Sequence, residues 1–524
     1  MDIIAIVILY FFLLFAVSRW TGRKATNETF YRGDRRSPWY LVAFGMIGAS
    51  ISGVTFVSVP GMVNSIGMTY LQTCMGFMVG YAVIAFVLLP LYYRLNLTTI
   101  YSYLGQRIGK RAYKTGASFF LLSKITGASV RFYVVCWILM ACGMGTLGDE
   151  SGSGAGKADW MFVLVVVVMT ALIWLYTRQG GIKTVVWTDS LQTACLFGAL
   201  ILIIYKVVSE LGMTTGEAVD AIRHSELSQV FVFDDWVSKQ NFWKQFLSGA
   251  FIAIVMTGLD QDMMQKNLTC RSLHDAQKDM CSYGVAFLPA NLLFLSLGVL
   301  LTLWYQQQGL TLPASGDDLL PQFIALTHHL SPITQYLFVL GMVAAAFSSA
   351  DSALTALTTS YCVDICGRPE DERLRRRVHI AMAVVFVVFI LLFRLLNSTS
   401  VIDAIYILCS YTYGPLLGLF AFGMLTKRRT NDRYVPYICV LSPLLCLAID
   451  TLTNQLTGYR FGYELLMLNG LLTFCGLWFS NTHHPTPIIH HPTPRNFSKY
   501  SFGWVPITFL NEVAKYLGSL NPTR

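Results

Sequence analysis

Long apolar stretches separated by short polar loops run through most of the chain. A helix needs about 20 apolar residues to cross the hydrocarbon core of a bilayer. Thirteen stretches approach or exceed this length, at residues 2–18, 40–64, 71–93, 115–146, 159–176, 185–208, 246–263, 280–304, 332–362, 377–396, 401–425, 434–453 and 461–479. The pattern predicts an all-α, polytopic membrane protein with about 13 transmembrane helices.

Composition supports this prediction, because 54% of the 524 residues are hydrophobic and only 13% are charged. A soluble protein of this composition would need an unusually apolar surface, so the lipid bilayer is the expected surrounding. We therefore expect a multi-pass protein of the cell membrane, whether plasma or inner membrane.

Basic residues concentrate in alternate loops, beginning with the segment 19–36 after the first apolar stretch. Lys and Arg near spans are retained on the cytoplasmic side, so the N-terminus is predicted outside and the C-terminus in the cytoplasm. Lys266, Arg271 and Lys278 are assigned to one of these cytoplasmic loops. The net charge of +9 is thus a topology signal, and no nucleic-acid partner is predicted.

The ninth stretch contains small residues, hydroxyls and an acid. Ala345, Ser348, Ser349 and Ser352 share one helix face, and Asp351 lies beside them. Aligned hydroxyl oxygens suit a small hard cation such as Na+. The alternative is close helix packing through small residues. Asp351 favours function, since an acid inside the membrane is costly.

Two stretches carry glycines that could break their helices, at 48–53 and at 257–262. Broken helices at matching positions in two halves mark ion and substrate sites in transporters. Their separation by five spans suggests two inverted repeats, although glycines are common in membrane helices in general.

The predicted organisation has one transmembrane domain over 1–480 and a disordered cytoplasmic tail over 481–524. The domain comprises a leading helix at 2–18, core repeats at about 40–208 and 246–425, and added helices at 434–479.

Four stretches together resemble the sodium:solute symporter family of sugar, proline, vitamin, iodide and sialic acid transporters. They are 176–192 (YTRQGGIKTVVWTDSLQ), 258–269 (GLDQDMMQKNLT), 344–352 (AAAFSSADS) and 410–420 (SYTYGPLLGLF), in the order seen in the family. The resemblance covers roughly residues 1–480. It implies a LeuT-type fold with an inverted five-helix repeat, Na+ as the coupling ion and a small-molecule solute.

The resemblance also implies a shared sodium site. Its ligands would be the main-chain oxygens of Gly48, Ile51 and Ala345 and the hydroxyls of Ser348 and Ser349. Gly48 departs from the family's usual Ala, which should matter little for a main-chain ligand. Five neutral oxygens suit a monovalent ion that must also be released.

A second sodium site, seen in the sialic acid branch of the family, maps to Asp189, Ser348, Asp351 and Ser352, with Asp351 in place of a serine. Two carboxylates could tighten such a site, or one of them could stay protonated because two like charges lie close together. Alternatively, Asp189 could pair near the inner membrane face, beside Lys183, without an ion.

Arg131 lies deep in the fourth apolar stretch and could hold a substrate carboxylate with two parallel hydrogen bonds. It could equally pair with Asp189 or Asp351 as part of the scaffold. Lys124 is expected to extend its ammonium to the cytoplasmic surface.

Further solute ligands are predicted from their polar side chains beside the first break. Hydroxyls and an amide can satisfy a polyhydroxylated molecule. These candidates are Ser50, Ser52, Thr55, Gln72 and Tyr411.

We therefore expect Na+-coupled import of a sugar, sialic acid or other carboxylate by alternating access. Two alternatives are a transport-like membrane sensor without net transport and an H+-coupled symporter. An enzyme is not predicted, because the sequence offers no credible nucleophile or metal constellation and no nucleotide-binding motif.

Overall fold

The computed structural model describes residues 3–23, 25–144, 155–236, 238–327, 332–396, 401–459 and 461–480, and the predicted tail at 481–524 lies outside them. Twenty α-helices make up this part of the chain. They are α1 Ile3–Thr21, α2 Asn27–Arg32, α3 Trp39–Ser50, α4 Gly53–Ile66, α5 Tyr70–Val83, α6 Leu89–Arg94, α7 Ser102–Arg107, α8 Lys110–Met144, α9 Ala155–Thr177, α10 Ile182–Glu210, α11 Thr215–His224, α12 Phe242–Ala253, α13 Gln261–Asn267, α14 Leu273–Gln307, α15 Leu319–Thr327, α16 Pro332–Ser360, α17 Glu372–Leu396, α18 Val401–Leu425, α19 Val435–Thr457 and α20 Leu465–Phe479.

Each of the thirteen apolar stretches coincides with helix. Among the described residues, nine helices are long and apolar enough to cross a membrane, and eleven spans result if each of two bent pairs counts as one. The first and last stretches correspond to shorter apolar helices, Ile8–Thr21 and Leu465–Phe479. Their crossing of the bilayer, and hence the count of thirteen, stays a prediction.

The outer helices expose apolar side chains, as expected for a surface that faces lipid. Phe12 and Tyr205 are 69% and 71% exposed. In contrast, 89% of an apolar 18-residue stretch of α16 is buried inside the protein, against 22% of the corresponding stretch of α19. Helix α16, which carries the hydroxyl face, therefore runs through the centre of the bundle.

Both predicted helix breaks are confirmed. Helices α3 and α4 meet at 60°, and α12 with its continuation to Gly258 meets α13 at 70°. At the first break Ile51 (φ −83°, ψ 89°) and Ser52 (φ −78°, ψ 171°) leave helical geometry. At the second, Asp260 is extended and its carboxylate accepts the Asp262 N–H at 2.8 Å. Each break removes helical partners from nearby main-chain groups, which can then bind ions or side chains.

Candidate cation and solute site

The first break in α3–α4 lies against the hydroxyl face of α16. The Ser349 hydroxyl donates to the Ala49 carbonyl at 3.2 Å, which joins α16 to the end of α3. Ile51, Ala345 and Ser348 are at most 1% exposed. One hydrogen bond thus places the first break against the buried face of α16 that carries the predicted sodium ligands.

Gly48 holds this junction close to α10. A Cβ added to Gly48 would lie 2.0 Å from Thr193 Oγ1, and Thr193 in turn donates to the Asp189 carbonyl at 2.7 Å. A side chain at position 48 would therefore force α3 away from α10 unless Thr193 moved. The expectation that glycine matters little here applies to the main-chain oxygen that would bind sodium. It does not apply to packing, because a Cβ at this position would overlap Thr193.

The four residues of the second predicted sodium site are also buried, but a lysine reaches them. Asp189 Oδ2 lies 2.8 Å from Lys266 Nζ, and Asp189 Oδ1 accepts the Ser348 hydroxyl at 2.7 Å. Ser352 donates to the Ser348 carbonyl of its own helix at 2.9 Å. Asp351 accepts the Tyr176 hydroxyl at 2.7 Å. Asp189 therefore already has a hydrogen-bond donor, Ser348, and a cationic partner, Lys266.

The assignment of Lys266 to a cytoplasmic loop is wrong. Its side chain is 1% exposed and lies on α13, directly after the second break. Lys183, the partner suggested for Asp189, instead pairs with Asp34 at 3.0 Å. An ammonium can be buried this way because a carboxylate compensates its charge.

A central cavity of about 110 Å3 opens beside the first break, and Ser50, Ser52, Thr55 and Arg131 line it. One water needs about 10–15 Å3 of such volume, so the cavity has room for several waters or a small solute. Ser349 also lines it. The predicted solute and sodium positions therefore share residues.

Arg131 forms no hydrogen bond or ion pair with the other residues that the structure describes, Asp189 and Asp351 included. Its guanidinium faces the cavity from α8, partly buried. A partly buried guanidinium with five unused N–H donors strongly favours an anionic ligand.

Lys124, which lies seven residues before Arg131 on α8, forms two ion pairs. Its Nζ lies 2.5 Å from Asp262 and 3.1 Å from Asp260. Tyr413 donates to Asp260 at 2.5 Å. The expectation that Lys124 extends to the surface is wrong, because both acids of the second break compensate its charge inside the bundle.

Two predicted solute ligands do not line the cavity. The Gln72 amide donates to the Gln240 carbonyl at 2.9 Å and accepts the Val232 N–H at 3.2 Å, so it holds the segment before α12. Tyr411 lies elsewhere on α18, whereas Tyr413 faces the cavity.

Sequence reasoning missed Tyr283, whose hydroxyl is 2.6 Å from the Ser50 hydroxyl and 2.9 Å from that of Tyr81. It also missed that the charges at the second break and on α13 lie inside the bundle. Their signal was present, since Asp260, Asp262 and Lys266 are ionisable residues within one apolar segment.

Comparisons with known proteins agree with this architecture. A sequence model of the sodium:solute symporter family matches residues 30–433. The sodium/sialic acid symporter SiaT of Proteus mirabilis (strain HI4320) is 24% identical over an alignment of 450 positions, which covers 80% of this chain and 83% of that protein. The human sodium-coupled monocarboxylate transporter 1 is 23% identical over 77% of this chain and 65% of its own length.

The fold is that of a solved Na+-coupled sialic acid symporter in a substrate-bound, outward-open state. The TM-score is 0.75 at 20% identity, over 91% of this chain and 97% of that one. The predicted all-α, LeuT-type fold is confirmed. The chain therefore belongs to the sodium:solute symporter family, and it is a Na+-coupled symporter of a small solute.

Proposed function

We propose that the transported solute carries a carboxylate, which Arg131 binds in the central cavity. The observation that carries this proposal is the unpaired Arg131 guanidinium on the cavity wall, beside a lysine whose charge is already compensated. Two parallel N–H donors match the two oxygens of a carboxylate. Relatives named for sialic acid and monocarboxylate transport carry solutes of this class.

The remainder of the cavity suits the rest of a small organic acid. Ser50, Ser52 and Thr55 offer hydroxyls on one side, and Phe77 and Phe287 offer apolar surface on another. This combination fits a hydroxylated acid of modest size, whose hydroxyls pair with hydroxyls and whose carbon face packs on rings.

Sodium acts at the junction of the first break with α16. We assign its ligands to Gly48, Ile51, Ala345, Ser348 and Ser349, which supply five neutral oxygens. An ion there would join the broken helix to α16. Because Ser349 belongs to both the ion site and the cavity wall, ion and solute would stabilise the same closed arrangement, which is the basis of coupling.

We expect transport to be inward, down the Na+ gradient. The basic loops support an N-terminus outside and a C-terminus in the cytoplasm. To test this orientation, single cysteines are introduced at the N-terminus or within residues 367–371 of a variant without its native cysteines, and intact cells are labelled from outside. Labelling of the loop from outside would contradict it.

The deciding experiment is uptake into proteoliposomes. The panel pairs carboxylates with their uncharged amide or alcohol counterparts and adds sugars and amino acids, each with and without a Na+ gradient. We expect anionic carboxylates to accumulate, and the sugars and the uncharged amide and alcohol counterparts not to. Preferential uptake of an uncharged sugar would contradict the proposal, and accumulation driven by a proton gradient alone would indicate H+ coupling.

Arg131→Lys is the matched variant, since it keeps the charge but loses the forked donor geometry. We expect solute affinity to weaken by about 2–5 kcal/mol, as for truncated buried charge pairs. Sodium binding measured without solute should survive. If Arg131→Lys abolished Na+ binding or folding instead, Arg131 would belong to the scaffold.

A further inference from the structure

Lys266 and Asp189 form an ion pair that the symport mechanism described above does not use. Their Nζ and Oδ2 atoms are 2.8 Å apart, with side-chain exposures of 1% and 0%. The second oxygen of Asp189 accepts the Ser348 hydroxyl. Both oxygens of this acid are therefore engaged, one of them by a full positive charge.

The lysine is held in this place by its own helix. On α13, Gln265 donates to the Tyr31 carbonyl at 2.8 Å and Asn267 donates to Asp279 at 2.6 Å. These contacts fix the short helix on both sides of Lys266. The Lys266 ammonium is thus held against Asp189 by a helix that is itself fixed by hydrogen bonds.

Hydrogen bonds already engage part of the other oxygens predicted for a second sodium. Ser352 donates to its own helix, and Asp351 Oδ2 accepts hydrogen bonds from Tyr176 at 2.7 Å and from Thr188 at 3.4 Å, while Asp351 Oδ1 has no hydrogen-bond partner among the described residues. A sodium ion beside Asp189 would lie close to the lysine charge, and the two cations would repel strongly in this buried place. The residues do not fit a second sodium while Lys266 stays.

We propose that Lys266 is a tethered cation that replaces the second sodium ion, so that this symporter binds and moves one Na+ per cycle. Sodium then joins the first broken helix to α16, and Lys266 joins the second broken helix, through α13, to α10. The proposal rests on the sodium site assigned to Gly48, Ile51, Ala345, Ser348 and Ser349.

The test counts bound sodium by equilibrium dialysis with radioactive Na+ on purified protein, without solute, so that it does not depend on the carboxylate proposal. Wild type should bind one Na+. Lys266→Met leaves Asp189 without its cation and should bind two. Lys266→Arg, which keeps the charge, should bind one, and Lys266→Met with Asp189→Asn should return the count to one.

Two Na+ bound by wild type would overturn the proposal, as would one Na+ bound by a folded Lys266→Met protein. If that variant is not recovered folded, Lys266→Gln takes its place in the same comparison. No sodium bound by wild type, or one Na+ still bound by Ser348→Ala/Ser349→Ala, would refute the first sodium site and not the lysine. Reversal potentials in proteoliposomes should show the same change from one to two Na+ per solute.

Discussion

At the scale of single residues, Ser348 connects two cation positions. Its hydroxyl donates to Asp189 at 2.7 Å, and a hydroxyl that donates its one proton still has lone pairs for a cation. Asp189 therefore orients the oxygen that Ser348 offers to sodium. The acid contributes to the ion site through the serine even if it never touches the ion.

This arrangement makes the two serines the sharpest test of the first sodium site. Replacing Ser348 and Ser349 with Ala removes two of five proposed ligands, and we expect Na+-stimulated uptake to be lost while the protein still inserts and folds. Each lost hydroxyl ligand should cost on the order of 1–3 kcal/mol of sodium affinity. Sodium titration of uptake in proteoliposomes measures the loss.

Ser352→Ala is the matched control, because this hydroxyl donates to the carbonyl of its own helix. Its apparent sodium affinity should change less than threefold, roughly the effect of one weak local hydrogen bond. A normal response to Na+ in the Ser348 and Ser349 double variant would remove this site from the mechanism.

At the scale of elements, the two broken helices are held by different means. The first meets α16 through Ser349, and Gly48 allows it to lie directly on Thr193 of α10. The second is fixed through the charges of Asp260, Asp262 and Lys266. If sodium binds as proposed, the first break is held partly by an ion, whereas the second is held by charges of the protein itself.

Gly48→Ala tests the close approach of α3 to α10. The added methyl would overlap Thr193 Oγ1, and overpacking of this kind typically costs 1–3 kcal/mol. We expect a lower melting temperature and weaker sodium affinity, measured by thermal unfolding and by sodium titration. Gly127→Ala is a suitable control, because a Cβ there meets no atom within 4 Å. Equal behaviour of the two variants would show that the contact is unimportant.

The helices and their breaks could be predicted from the sequence, but the contacts of their side chains could not. Apolar runs and glycines are local signals, so all thirteen stretches and both breaks coincide with the structure. The pairing of Lys266 with Asp189 joins helices far apart in the chain and depends on packing. Gln72 and Tyr411 were predicted as solute ligands because their side chains are polar, yet neither lines the cavity.

At the scale of the whole molecule, acids and bases nearly balance around the cavity and the predicted cation sites. Among the described residues, the Asp, Lys and Arg side chains at these places are four acids and three bases, namely Asp189, Asp260, Asp262, Asp351, Lys124, Lys266 and Arg131. When all seven are ionised they leave one negative charge, which one sodium ion would neutralise. A carboxylate solute would then meet a neutral interior instead of a negative one, so sodium should bind first.

This order predicts that sodium stabilises the protein before any solute is added. A ligand that binds only the folded state raises the free energy of unfolding by RT ln(1 + [L]/Kd), which is about 2.7 kcal/mol at a hundredfold excess over Kd. The melting temperature should therefore rise with Na+ but not with equal K+, and should not respond to Na+ in the Ser348 and Ser349 double variant. A carboxylate solute should raise the wild-type melting temperature further only when Na+ is present, because without the ion it would enter a negatively charged cavity. Equal stabilisation by solute in Na+ and in K+ would show that binding is not ordered in this way.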